Sequence, residues 1–320
     1  MVDVSVIIPV YNAEKTISLL LKALSRQSTD KVFEIILVDN ESNDATSKII
    51  ESVTSDFSIP LKVLSQPRGV TISAVRNFGV KNSSGRVLAF IDSDCVPGSD
   101  WLQLGCEQVA YFGEEVLLAG GYQPPPISTW VERAWHSTRS GHKEGSFFVH
   151  GGNFFIPRDL FDDVGGFRER IETSEDYDLG RRVAMKYKVI SVPNFTVLHY
   201  GEANTIVKKI KKERWYSKNI FDSLSQDFFY KPFWVSIFFL FLVFSSMFSI
   251  FLFSKKVTFI IVLLTFITPV ALALFFCQRA KNYKYFLSMV PISFAYLLGR
   301  GFGILDGLVS GVLFRRRERN

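Results

Sequence analysis

Arg86-Val87-Leu88-Ala89-Phe90-Ile91-Asp92-Ser93-Asp94 is the stretch on which the reading of the fold turns. Its apolar run carries no alternation of polar and apolar residues, so it reads as a strand covered on both faces, the pattern of a parallel sheet between helical layers. It then stops in two carboxylates two residues apart. Strand side chains at i and i+2 point the same way, so an extended chain through Ser93 aims Asp92 and Asp94 at one spot. Like charges held together call for a cation between them, and hard carboxylate oxygens suit Mg²⁺ or Mn²⁺, ions that also take substrate phosphates. A solvated turn is the other reading of Asp-Ser-Asp.

Working outward from this strand, the first two hundred residues alternate strand and helix patterns. Val4–Val10 is a β-branched run. Ala13–Ser25 has helical spacing through Ile17, Leu20, Leu21 and Leu24, Phe33–Val38 is a second apolar strand, and Ala45–Val53 a second helix behind Ser42-Asn43-Asp44. Leu61–Leu64 and Thr71–Val80 add a third strand and helix. Such alternation predicts an α/β layer structure with a mostly parallel sheet. Ligands of such sheets bind beyond the carboxyl ends of the strands. Tyr11-Asn12, Asp39-Asn40 and Asp92-Ser93-Asp94 all stand at that edge. The chain has neither G-x-G-x-x-G after its first strand nor G-x-x-x-x-G-K-[ST], so a nucleotide here would be held by side chains and a metal.

The character changes at Phe233. Phe233–Phe253 and Val257–Cys277 are each uncharged, and each reaches the roughly 20 residues needed to cross a hydrocarbon core. Tyr285–Leu298 is apolar but shorter and runs into Arg300 and Asp306, so residues 285–313 read as a third span or as an interfacial or re-entrant segment. Lys208, Lys209, Lys211, Lys212 and Arg214 precede the spans, and Arg315-Arg316-Arg317-Glu318-Arg319 follows them. The positive-inside tendency puts both clusters on the cytoplasmic face, which favours two spans and an interfacial third segment. From Pro232 onward ten Lys/Arg face two Asp/Glu, so in a chain of net charge +6 the first part is slightly acidic. No nucleic-acid partner is implied, and no aromatic-basic RNA motif or zinc-finger spacing occurs. Three cysteines, Cys95, Cys106 and Cys277, show no metal spacing and no disulfide framework. Met1–Val4 lacks the basic and hydrophobic regions of a signal peptide.

Several segments together resemble the family 2 glycosyltransferases. They are Val4–Asn12, Ile36–Thr46, Arg76-Asn77-Phe78-Gly79, Phe90–Asp94, Gly151-Gly152-Asn153, Gly165-Gly166-Phe167 and Ser174–Leu179, in the family's order over about residues 4–216. The resemblance implies a GT-A fold, a Rossmann-like α/β domain of residues 1–204. A basic juxtamembrane segment (205–231) and a membrane domain (232–320) would follow. It implies an inverting, metal-dependent transfer from a nucleoside diphosphate sugar, most commonly of uridine. By resemblance, Asp39 and Asn40 face the base, Pro9 and Tyr11 line its pocket, and Arg76 reaches base or phosphate. A surface helix arginine is the other reading of Arg76. Asp92 and Ser93 serve the ribose side, and Asp94 is the direct metal ligand with Asp92 acting beside it. His199 stands where relatives supply a third ligand, or is structural.

Asp176 is, by resemblance, the base that deprotonates an acceptor hydroxyl. Glu175 orients the acceptor or braces the loop, and Gly152 and Asn153 sit on the acceptor side. Lys211-Lys212-Glu213-Arg214-Trp215 is similar to the Q-x-x-R-W motif of processive members, which places Arg214 and Trp215 at the diphosphate. Lys211 replaces the Gln, which speaks against processive polymer synthesis, and the lysines serve equally to dock on anionic lipid. Residues 120–150, with Pro124-Pro125-Pro126, His136, His142 and His150, read as an acceptor-side loop. The acceptor is then a hydroxyl of a lipid-linked or membrane-proximal glycan, with a polyprenyl phosphate as the alternative. An inactive nucleotide-sugar-binding assembly subunit is a third reading. The expected location is the membrane, with the catalytic domain on its cytoplasmic face.

Overall fold

The computed structural model describes residues 2–55, 57–113, 115–138, 149–218 and 231–317, and these form two compact units. His142, residues 219–230 of the basic juxtamembrane segment and Glu318-Arg319 of the tail lie outside the described residues. The first unit comprises Met1–Pro126 and His142–Gly201, and the second Ile127–Gly141 and Glu202–Asn320.

Among the described residues of the first unit, eight strands make one sheet: β1 (Val4–Val10), β2 (Phe33–Asp39), β3 (Leu61–Ser65), β4 (Val87–Ile91), β5 (Cys95–Pro97), β6 (Val116–Gln123), β7 (Asn153–Pro157) and β8 (Lys188–His199), in the order β3-β2-β1-β4-β7-β6-β8-β5. The first four are parallel neighbours, with Val10 opposite Asp39 and Ile7 opposite Phe90. β7 and β5 run against the rest. β4 and β5 are joined by three residues, Asp92–Asp94, yet three strands separate them in the sheet. A flat sheet would hold them about 19 Å apart at ~4.8 Å per strand, whereas the link from Ile91 to Cys95 spans at most about 14 Å. The sheet therefore curls, and the acidic link closes the curl.

The apolar strands are explained by two cores. Val4, Val6, Ile8 and Val10 pack with α1 (Ile17–Leu24), α2 (Thr46–Thr54) and α4 (Trp101–Phe112). Ile7, Ile36, Val38 and Phe90 pack on the other side with α3 (Ile72–Lys81), α6 (Arg158–Asp163) and α7 (Glu175–Ala184). Successive side chains alternate faces, so both parities must be apolar. Each fully buried aliphatic residue adds roughly 1.5–3 kcal/mol before entropic costs. α1 begins four residues later than its periodicity predicts, because Ala13–Thr16 form a turn whose Ala13 N–H donates to Thr46 Oγ1.

The second unit contains α5 (Trp130–Ser137), α8 (Ile206–Lys218), α9 (Lys231–Leu252), α10 (Lys255–Ala280) and α11 (Phe286–Arg317). α5 corrects the expectation of a loop over 120–150. Thr129 and Glu132 form a reciprocal capping box, and Val131, Ala134 and Trp135 bury an apolar face. The sequence signal was the spacing Thr129-x-x-Glu132.

α9, α10 and α11 are each long and apolar enough to cross a membrane, with mean hydropathies of 1.9, 2.7 and 1.3 over Pro232–Ser249, Lys255–Ala280 and Phe286–Val309. α11 is one continuous helix over Phe286–Arg317. Arg300 and Asp306, the charges within its apolar stretch, are matched by α8. Arg300 Nε donates to Glu213 Oε2 (2.8 Å), whose Oε1 accepts from Lys209 Nζ (2.8 Å). Arg214 donates to both oxygens of Asp306. Pairing of this kind is what permits charges in an apolar helix. The seam is set by Gly299 and Gly303: a Cβ on Gly303 would stand 2.2 Å from Arg214 O. Gly303→Ile is therefore expected to destabilise the second unit by about 1–3 kcal/mol, read as a lower melting temperature in detergent. An unchanged melting temperature would show that α8 and α11 do not rely on this approach.

Candidate active site

Because β1, β2 and β4 are parallel, Tyr11-Asn12, Asp39-Asn40 and Asp92–Asp94 emerge at one edge of the first unit's sheet. Asn12 and Glu41 at this edge, and Ser174 ahead of α7, adopt left-handed backbone (φ 49°, 50° and 66°). Left-handed backbone in non-glycine residues is costly and clusters at functional sites. Tyr11 is exposed, and its hydroxyl accepts from Arg68 Nη2. Asp39 Oδ1 accepts from the Ser42 amide and hydroxyl, and Oδ2 from the Ser47 hydroxyl, so Asp39 shapes its own loop. Asn40 Oδ1 is buried without a partner among the described residues, while its Nδ2 donates to Val70 O. Pro9 is buried inside β1.

Arg76 is a buried clamp. It is 1% exposed, and its guanidinium donates to Asp92 Oδ1 (2.7 Å), Glu175 Oε1 (2.6 Å) and Gly151 O (3.2 Å). The reading of Arg76 as a surface helix residue is thereby corrected: it sits on the side of α3 facing the second core and joins two acidic segments 83 positions apart, Asp92 and Glu175. Burial raises the carboxyl of Asp92, the Arg76 charge opposes this, and the neighbouring Asp94 charge adds to the rise. Asn153 is also corrected as an acceptor contact. It is fully buried, its Oδ1 accepts from Trp101 Nε1, and its Nδ2 donates to Gly121 O and Phe195 O. It anchors the Gly151-Gly152 turn from beneath. The Gly152 amide donates to the Tyr122 hydroxyl.

Asp176 opens α7. Its Oδ2 accepts from the Gly151 amide (3.0 Å) and its Oδ1 from the Tyr177 amide (2.8 Å). Burial, then the adjacent Glu175 charge, push its carboxyl up to about 7, against the pull of Arg76 and the two amides.

Asp94 lies on the other side of the acidic link. His199 ends β8 directly opposite Cys95, its Nε2 3.5 Å from Asp94 Oδ2. Donor atoms of Asp94, Cys95 and His199 all fall within 4.8 Å of one another. The Tyr122 ring stacks on His199 at 4.3 Å and holds its plane. Gly201 leaves the space this cluster needs, since a Cβ there would come 1.8 Å from Asp94 Oδ2. A carboxylate, an imidazole and the space kept open beside them suit a divalent ion. Asp92 is turned away onto Arg76 and is not part of this cluster. Cys95 was missed in the sequence because its partner His199 lies far along the chain, where no spacing rule reaches. Arg214 and Trp215 belong to the second unit, Arg214 paired with Asp306 and Trp215 about half exposed.

The Glycosyl transferase family 2 model matches residues 5–168, and the Glycosyl transferase family group 2 model matches residues 87–298. The chain is 33% identical over 186 residues to glycosyltransferase AglE of Haloferax volcanii, covering 56% of this chain and 60% of that protein. It is 26% identical over 221 residues to a dolichol-phosphate mannosyltransferase of Pyrococcus furiosus, covering 65% of this chain and 60% of the relative. The chain thus spans about three-fifths of either relative. The mannosyltransferase PcManGT of Pyrobaculum calidifontis, solved with GDP-Man and Mn²⁺, superposes with a TM-score of 0.65 at 17% identity, over 96% of this chain and 87% of that one. That likeness shows a shared GT-A fold. With a curled α/β sheet whose acidic edge is built as described, and with family models spanning most of its length, the chain belongs to glycosyl transferase family 2.

Proposed function

We propose that this glycosyltransferase moves a sugar, with inversion, from a nucleoside diphosphate sugar to a hydroxyl of a lipid-linked or membrane-proximal glycan. The observation that carries the reading is Asp176, held by the Gly151 and Tyr177 amides and adjacent to Glu175 of the Arg76–Glu175 pair, with its carboxyl pushed up to about 7. A base poised near neutrality is what hydroxyl deprotonation asks for. The acceptor O–H gives its proton to Asp176. Its oxygen forms the new bond to the anomeric carbon from the face opposite the leaving group. The bond from that carbon to the diphosphate oxygen breaks, and its electron pair leaves with the nucleoside diphosphate. Tyr11 offers its exposed ring to the base, and Asp39 offers its carboxylate at the same edge. Asp94 and His199 would hold the ion, which when bound offsets charge on the departing diphosphate. Uridine is the expected base, with guanosine as the comparison.

A specific relative favours a second acceptor, since the dolichol-phosphate mannosyltransferase acts by its name on a phosphate. A phosphate is already ionised and has no need of Asp176. The three helices of the second unit, each long and apolar enough to cross a membrane, support a membrane location. The exposed lysines of α8, Lys208 and Lys211, favour the cytoplasmic face. The test is a donor screen with membranes, metal and either UDP- or GDP-sugars, followed by mass analysis of the lipid product. A glycan product stable to mild acid is expected. An acid-labile glycosyl phosphate would replace the hydroxyl reading with the phosphate one.

A further inference from the structure

Cys95 adjoins the acidic link and groups with Asp94 and His199, yet the proposed transfer does not use it. Its amide donates to Asp92 O (2.9 Å), closing a turn that lets the neighbouring side chains of Asp94 and Cys95 converge although they are adjacent in sequence. It forms a rung with His199 across β5 and β8, and the Tyr200 amide donates to Asp94 O (2.8 Å), locking the two strands at this point. Cys95 Sγ is 3.7 Å from Asp94 Oδ1, and His199 Nε2 is 3.5 Å from Asp94 Oδ2. With metal–sulfur bonds of ~2.3 Å and metal–nitrogen or metal–oxygen bonds of ~2.1 Å, a tetrahedral ion separates S from O by about 3.6 Å and N from O by about 3.4 Å. Sulfur and imidazole nitrogen stand close to those separations, each from a different oxygen of the Asp94 carboxylate, and the three side chains each offer a donor within 4.8 Å of the others.

We infer that Cys95 is a thiolate ligand of the ion held by Asp94 and His199, and that this centre prefers a borderline-soft ion of the Zn²⁺ or Co²⁺ type to Mg²⁺. The inference rests on the reading of Asp94 and His199 as metal ligands. On binding, the S–H bond is replaced by a metal–sulfur bond and the proton passes to solvent. One carboxylate and one thiolate neutralise the divalent charge in a site where Cys95 is fully buried. Thiolate and imidazole donors draw zinc-like ions, whereas Mg²⁺ takes oxygen ligands and keeps its waters. The bland role for Cys95 is a small apolar residue among its core neighbours in β1 and β4. In that role the thiol donates a weak hydrogen bond to Asp94 Oδ1, the contact that a metal–sulfur bond would replace.

The test is a Co²⁺ titration of the purified full chain in detergent, read by absorption, with Mn²⁺ binding followed in parallel by electron paramagnetic resonance. A near-ultraviolet sulfur-to-cobalt band saturating at one equivalent is expected, and Cys95→Ser should abolish it. Since even outer-sphere changes cost ~10–100-fold in metal affinity, Cys95→Ser should weaken Co²⁺ by at least about tenfold, with far less effect on Mn²⁺. Stoichiometric Co²⁺ or Mn²⁺ binding without such a band in the unaltered chain overturns the thiolate ligand and leaves the Asp94–His199 reading standing. A band that survives Cys95→Ser also overturns it. Binding of neither ion overturns both. The unaltered chain decides even if a variant fails to fold.

Discussion

Asp176→Asn is expected to lower sugar transfer by about 10²–10⁴-fold, the usual worth of a positioned general base, while nucleoside diphosphate sugar binding survives. Asn keeps the shape and one of the two contacts to the Gly151 and Tyr177 amides, but cannot take a proton. The pH profile carries the same information. Asp176 must be ionised to act, and its carboxyl is raised to about 7. Activity should therefore climb as pH rises through about 7 and level off above it, and the residual activity of the Asn variant should lack that limb. The sign for stability is the reverse. A raised acid favours its protonated form in the folded chain, so its contribution is full below the ordinary value of 3.8 and is lost as pH rises through about 7. The ionised base thus costs stability under the conditions in which it works, and the Asn variant should melt no lower than the unaltered chain at pH 8. Near-normal turnover by the variant would sink the hydroxyl-base mechanism and favour a phosphate acceptor.

Asp94→Ala should abolish metal-dependent binding of the donor and lower transfer by roughly 10³-fold or more, several kcal/mol at about 1.4 kcal/mol per decade. Asp94 is the member of the acidic pair whose oxygens face His199, whereas Asp92 is spent on Arg76. Chelation should copy the substitution. So should Gly201→Ala in milder form, because its methyl would occupy the place of Asp94 Oδ2. Calorimetric titration of nucleoside diphosphate with and without a chelator reads the effect directly. Donor affinity indifferent to both the chelator and Asp94→Ala would remove the metal from the site.

Much of this molecule was legible in the chain. The strands β1 to β4, their order along the sequence and the polar edge they end on followed from side-chain alternation and apolar runs, which are local properties. The apolar helices α9 and α10 followed from length and lack of charge. α11 was harder to read because its Arg300 and Asp306 are acceptable only beside Glu213 and Arg214 of α8, and no local window holds both partners. The expected loop over 120–150 hid α5, whose capping box was short and whose apolar face is complete only against helices far along the chain.

The candidate site divides the same way. Asp92, Asp94 and Asp176 were legible because acids stand at the end of an apolar strand and at the start of a helix. What Arg76 does was not, since its two carboxylates come from a distant strand end and a distant helix start. Nor was the company of Asp94, because the curl of the sheet alone brings β8 beside β5 and sets His199 against Cys95. The sequence by itself determined the elements and the acids they end on, through short-range periodicity and the chemistry of single residues. Only the tertiary structure decided which acid stands beside His199 and Cys95 and which is clamped by arginine. That choice depends on distances between residues remote in sequence, and a three-residue link too short for a flat sheet is what imposes them.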